Sequence, residues 1–296
     1  MLRFLRLIAL ATGGFLLVVA AVLVSFVVSG YNLVHEAASD PVPALVVAPD
    51  PSLLARGAHL GRVLCADCHA PRGDSLPAGG DRDFLHRRGG PDLGSLHAPN
   101  LTPSGRLRRY SDGELSRAIR GGLDRDDRPL LVMPSQQYHE MSDRDLAAII
   151  TWLRAQPPAG GDVAPRRLTW KACLLIGMHA LETSHTIPLP GPKPALPEGM
   201  TAEYGAYMTG ILGCASCHGA SLRGGHPGPV APDGPDLLAF VSAHDLSTFD
   251  AALRRGISPR GSRSMDPELM PWPAYAHLSD TESAAIYASL QRLAKR

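Results

Sequence analysis

Cys65-Ala66-Asp67-Cys68-His69 and Cys214-Ala215-Ser216-Cys217-His218 hold four of the five cysteines in this 296-residue chain. Two thiols about one helical turn apart, followed at once by an imidazole, form a pattern with a chemical reason. The thiols add to two vinyl groups of a porphyrin, and the next side chain presents its ring to the iron. Other uses of Cys-x-x-Cys fit less well. A four-cysteine zinc site needs no histidine directly after each pair. A dithiol redox motif belongs beside a strand-helix-strand pattern, which is missing. A disulfide between such near neighbours closes a very small loop and gains little. The motifs therefore point to two covalent haems c, attached at Cys65, Cys68, Cys214 and Cys217, with His69 and His218 as iron ligands.

Working outward from the motifs, the chain repeats itself. Met133-Pro-Ser-Gln-Gln-Tyr-His-Glu-Met-Ser-Asp aligns without a gap to Met270-Pro-Trp-Pro-Ala-Tyr-Ala-His-Leu-Ser-Asp, an offset of 270 − 133 = 137. Each copy then opens a helix, predicted from Ser142 with Asp145 and from Ser279 with Glu282 as N-cap pairs. Apolar residues follow at helical spacing, Leu146, Ile149, Ile150 and Leu153 in one and Ile286, Tyr287, Leu290 and Leu293 in the other. Upstream, Ser111 with Glu114 and Ser247 with Asp250 start a further helix per copy, ending near Gly122 and Gly256.

The repeat also selects the second axial ligand. A sixth protein ligand closes the iron to small molecules and leaves electron transfer, and a thioether suits that role. Met133 pairs with Met270, whereas Met141 pairs with Leu278, which cannot ligate, and Met265 has no partner. Met133 and Met270 are the expected ligands. The ten remaining histidines do not align between the copies and read as surface or loop residues.

The N-terminus supplies the address. Leu7 to Ser29 is 23 residues without a charge, against about 20 needed to cross a bilayer and about 7–15 in a cleavable signal core. A retained anchor is the favoured reading, with cleavage near Val28-Ser29-Gly30 the alternative. Arg3 and Arg6 hold the N-terminus in the cytoplasm and place everything after Gly30 on the outer, periplasmic side. Twenty-nine basic against 28 acidic residues give no footprint for nucleic acid. The expected organisation is an anchor over 1–30, a linker over 31–50, one haem unit over 51–157, a Pro- and Gly-rich linker over 158–199 and a second haem unit over 200–296. Aromatic residues are only 5% of the chain, so a large apolar cofactor would fill core that side chains leave short.

Taken together, the early Cys-x-x-Cys-His, the later Met-Pro and the capped final helix resemble class I cytochrome c, twice over. The resemblance implies an all-α fold of two tandem cytochrome c domains behind a transmembrane helix. It also implies that a proline carbonyl accepts the axial histidine's Nδ1–H. Gly234-Pro235-Asp236-Leu237 fits that role in the second unit. In the first, Pro91 and Pro99 compete, and Pro99 is preferred because Pro99-Asn-Leu-Thr-Pro followed by Ser-Asp-Gly-Glu-Leu looks like the cytochrome subunits of membrane-associated alcohol and aldehyde dehydrogenases. Many of those carry three haem units, and the anchor here is N-terminal. Family members cross their first and last helices through a small residue eight places before the first cysteine, here Gly57 and Ala206. Arg120 and Arg254 align as propionate partners or solvated residues, Tyr138, Tyr275 and Trp272 as haem-edge or core aromatics, and Cys173 as a small buried hydrophobe. The implied function is electron relay in a respiratory chain at the outer face of the cytoplasmic membrane. Its partners would be redox proteins: a dehydrogenase or quinol-oxidising complex as donor, and an oxidase or soluble cytochrome as acceptor. No catalytic residue is expected. The competing readings are a dihaem enzyme of the peroxidase or thiosulfate-oxidising kind with one open iron, and a docking subunit of a larger complex.

Overall fold

The computed structural model describes residues 1–296 except 39, 49, 87–88, 186–188, 226–233, 260–263 and 268; His226 and Pro188 thus lie outside the described residues. The chain is mostly helical with few strands. It begins with α1, Leu2–His35, 34 residues long and apolar enough to cross a membrane.

Two sets of helices then follow one another in matching order. The first is α2 (Pro51–Leu64), α3 (Ala66–His69), α4 (Asp112–Ser116) running on into a π-helical turn, α5 (Ser135–Tyr138) and α6 (Asp143–Arg154). Next comes α7 (Trp170–Gly177). The second set is α8 (Ala202–Ile211), α9 (Ala215–His218), α10 (Leu237–Ala243), α11 (Leu246–Arg255), α12 (Trp272–Tyr275) and α13 (Asp280–Ala294). Two short antiparallel ladders complete it: β1 (Gly94–Ser95) with β2 (Arg167–Leu168), and β3 (Arg223–Gly225) with β4 (Gly234–Asp236).

Local chemistry explains the helix ends. Asp50 caps α2 ahead of Pro51, and Ser111 with Glu114 and Ser279 with Glu282 form full capping boxes. Ser142 accepts from the Asp145 amide, but the Asp145 carboxylate turns elsewhere. The α11 cap is Asp245, two residues before the expected Ser247, whose hydroxyl donates to Asp245. Gly122 (φ 68°) and Gly256 (φ 65°) end their helices left-handed.

In each set the first helix packs on the last, α2 on α6 and α8 on α13. The crossings are backbone-close. A Cβ on Gly57 would sit 1.9 Å from the Ala148 carbonyl, and one on Gly205 would sit 1.8 Å from that of Ala285. The expected Ala206 is exposed, one place off the crossing. The cause is Gly213 (φ 69°), an extra residue between α8 and Cys214, where α2 runs straight to Leu64 beside Cys65. Leu60, Met208, Ile149, Ile150, Ile286 and Leu290 from both sets fill one apolar cluster, each worth about 1.5–3 kcal/mol when fully buried.

Particular residues of the segments expected as linkers bond to the first set. The Val47 amide donates to Asp112, and the buried Arg117 donates to the Asp40 carbonyl. From 158–199, β2 pairs with β1, and Asn100 donates to the Ala159 and Gly161 carbonyls. The α7 helix lies against α1, with its own Cys173 buried.

Candidate functional site

Each Cys-x-x-Cys-His occupies a short helical turn whose histidine is buried and oriented by one bond. His69 Nδ1 lies 2.9 Å from the Pro99 carbonyl, and His218 Nδ1 lies 2.8 Å from that of Pro235. Pro99, and not Pro91, makes this contact. A carbonyl only accepts, so both rings carry the proton on Nδ1 and leave the Nε2 lone pair available. Burial lowers the pKa of both rings, outweighing the carbonyl bond. Neutral imidazole is the form that ligates a metal.

Neither cysteine pair is closed as a disulfide. Packed surroundings push Cys65 and Cys214 up to about 12, and burial with the Asp67 charge pushes Cys68 to about 11. A redox-active dithiol needs the opposite shift. Among the described residues no three His, Cys, Asp or Glu side chains gather as a group that could hold a metal ion. Close backbone approach shapes both turns: a Cβ on Gly80 would meet the Cys68 carbonyl at 2.0 Å, and one on Gly234 would meet His218 Nδ1 at 2.7 Å.

Met133 and Met270 sit in matching turns. Pro134 (φ −81°, ψ 53°) and Pro271 (φ −76°, ψ 52°) are centres of inverse γ-turns, closed by Ser135 N to Met133 O at 2.8 Å and Trp272 N to Met270 O at 2.7 Å. Both thioethers are half-buried and pack against the same apolar core as Cys65 and Cys214. One turn on, the Tyr138 hydroxyl donates to the Leu64 carbonyl and that of Tyr275 to the Leu212 carbonyl. These tyrosines thus tie each methionine loop to the helix end before its cysteines. Burial, with the nearby thiols adding to it, raises both phenols.

The aligned arginines also repeat their contacts. Arg120 bonds the Met141 carbonyl and pairs with Asp143 at 2.7 Å. Arg254 donates to the Leu278 carbonyl at 2.7 Å and pairs with Asp280 at 2.7 Å. They hold the start of the last helix in each set, and Trp272 Nε1 donates to the Met265 carbonyl.

No family model matches the chain, and no curated protein does.

The two constellations face each other. The α12 helix packs on α2 and α3, α5 packs on α8, and Gln137 Nε2 donates to Ser216 Oγ at 2.7 Å. Beside them lies a buried polar lock that sequence reading missed. Arg56 donates to Asp145 at 2.9 and 3.1 Å, to Glu282 at 3.0 Å and to the Tyr204 hydroxyl at 3.0 Å. His59 Nε2 bonds Glu282 at 2.8 Å, and the Tyr207 hydroxyl donates to Asp145 at 2.6 Å. Asp145 and Glu282 are the equivalent third residues of α6 and α13, while Arg56 and His59 on α2 match Tyr204 and Tyr207 on α8. Each first helix therefore binds the acid of the other set, as an approximate two-fold relation requires. Burial raises Glu282, but the His59 bond, the Ser279 amide and the His59 and Arg56 charges outweigh it and hold the carboxyl down to about 2.

The residues fit a covalently held haem at each position. They combine two neighbouring thiols, a neutral histidine with its tautomer set, a thioether loop on the same core, and glycines where a backbone must approach closely.

Proposed function

We propose that the chain is a membrane-anchored electron carrier with two covalent haems c in tandem class I cytochrome c domains, about 51–157 and 200–296. In this reading Cys65 and Cys68, and Cys214 and Cys217, make the thioether links. His69 with Met133, and His218 with Met270, are the axial pairs. When bound, each haem supplies a one-electron iron couple. The Pro99 and Pro235 carbonyls set ring tautomer and direction, as hydrogen-bond partners of ligating histidines do at other metal sites. The Met-Pro turns present the thioethers, and Tyr138 and Tyr275 tie those turns down.

The observation that carries this reading is the doubled constellation: the same proline carbonyl, γ-turn and tyrosine bond recur on both motifs. The reciprocal contacts between the sets favour transfer from one site to the other, with the Arg56 lock holding their separation. The apolar α1, uncleaved, anchors both sites at the outer face of the cytoplasmic membrane, where redox proteins deliver and collect electrons.

Ferrous protein exposed to carbon monoxide tests this directly. Two low-spin haems that leave the gas unbound are expected, because both sixth positions are filled by protein. A high-spin haem that binds it readily would replace the carrier with a dihaem enzyme carrying one open iron.

A further inference from the structure

Between the two sets lies an apolar stretch that electron transfer does not use. Residues 172–181 contain no Asp, Glu, Lys or Arg. Most of it belongs to α7, which meets α1 backbone to backbone at two points. A Cβ on Gly30 would sit 1.8 Å from the Cys173 carbonyl, and one on Gly177 would sit 2.0 Å from that of Phe26. Numbers rise along α7 as they fall along α1, so the helices are antiparallel and α7 points its C-terminal end back towards the apolar span. Counted back from Ser29, the last residue of the charge-free run, about 20 residues at about 1.5 Å each cover the hydrocarbon core. The Gly30–Cys173 contact therefore marks its outer edge, Gly177 lies about 6 Å inside it, and Met178, 51% exposed, follows.

The remaining features agree with lipid as the neighbour. Trp170 at the upper end is 62% exposed, with the Lys171 ammonium 5.8 Å from its ring centre; Trp and Lys are headgroup-level anchors. The lower end closes on itself. The Leu174 carbonyl accepts from the Met178 amide, that of Leu175 from Ala180 and Leu181, and that of Ile176 from His179, which turns left-handed at φ 55°. Water would satisfy those carbonyls, but hydrocarbon would not.

We infer that α7 and the turn after it form a second membrane contact, a short re-entrant hairpin seated in the outer leaflet beside α1. This rests on reading α1 as a retained span. The contact fixes the first helical set against the lipid surface, giving the sites a defined height and tilt that a single flexible anchor would leave free.

Full-length protein in phosphatidylcholine–phosphatidylglycerol liposomes, in a Cys173→Ala background, tests the inference with nitroxides at Leu16→Cys, Met178→Cys and Lys295→Cys. Leu16 and Met178 labels open to oxygen and shielded from a nickel chelate, with Lys295 the reverse, is the expected pattern. A shielded Leu16 with a nickel-open Met178 overturns the hairpin and leaves the anchor. Nickel access at both overturns the anchor and the hairpin together. Should Met178→Cys fail to fold, Trp170→Cys reads the same helix about 12 Å higher: partial shielding supports the inference and full nickel access overturns it.

Discussion

The first helical set is dressed and the second is bare. Around α2–α6 lie residues 31–50, the β1–β2 ladder, α7 and the outer end of α1, whereas α8–α13 carry only the small β3–β4 ladder among the described residues. The features common to both are the ones that serve the candidate sites: the proline carbonyl on histidine, the Met-Pro γ-turn, the tyrosine bond and the arginine tie. The additions, by contrast, belong to one copy: a repeated skeleton carries two matching candidate constellations, and on the proposed reading the α1–α7 contact beside one of them orients the pair at the membrane.

If the two sites are equivalent, breaking one leaves the other intact. Met133→Ala and Met270→Ala are each expected to open one haem, binding one carbon monoxide per chain and lowering one reduction potential, since thioether ligation raises it. Redox titration of both variants checks this; an unchanged spectrum removes that methionine from the ligand pair.

The interface is next in size. Arg56→Ala leaves Asp145 and Glu282 buried without their shared cation, and an expected loss of about 3–5 kcal/mol in denaturant unfolding follows from breaking one side of a buried ion pair. Tyr204→Phe removes one bond to the same cluster and is expected to cost about 1 kcal/mol. Equal losses would show that the lock is not centred on Arg56.

Register gives a smaller, sharper contrast. Gly57→Ala and Gly205→Ala each force a methyl against a helix backbone and are expected to destabilise by about 1–3 kcal/mol. Ala206→Ser, on the exposed neighbour, is expected within about 0.5 kcal/mol of the parent. A large effect at Ala206 would restore the eight-residue spacing.

The last contrast is one of pH. Glu282 titrates in the folded chain near 2 against an ordinary 4.5. A depressed carboxyl stabilises the fold above the unfolded value, so its contribution is present above about pH 4.5 and lost as pH falls towards 2. Unfolding midpoints across that range are expected to fall more steeply in the parent than in Glu282→Gln.

Much of this was legible in the chain. Cys-x-x-Cys-His, Met-Pro and Ser-x-x-Glu are local patterns whose chemistry sits within a few residues, and the 137-residue offset matches α5 to α12 and α6 to α13. The crossing glycine was missed because Gly213 shifts the count from cysteine by one. The lock was invisible because Arg56 and Glu282 are 226 residues apart and no local rule joins them. Residues 31–50 and 158–199 read as tethers from their prolines, yet the backbone amides and carbonyls of such a segment bond well to a neighbouring surface, as Val47 and Ala159 do.

On the proposed reading, each motif holds its own covalent cofactor. Haem counting on denatured, extracted protein tests it most directly, in the parent and in Cys65→Ser/Cys68→Ser and Cys214→Ser/Cys217→Ser. Two acid-resistant haems per chain in the parent and one in each double variant is the expected result. None in the parent, or a count unmoved by either pair of substitutions, would contradict it.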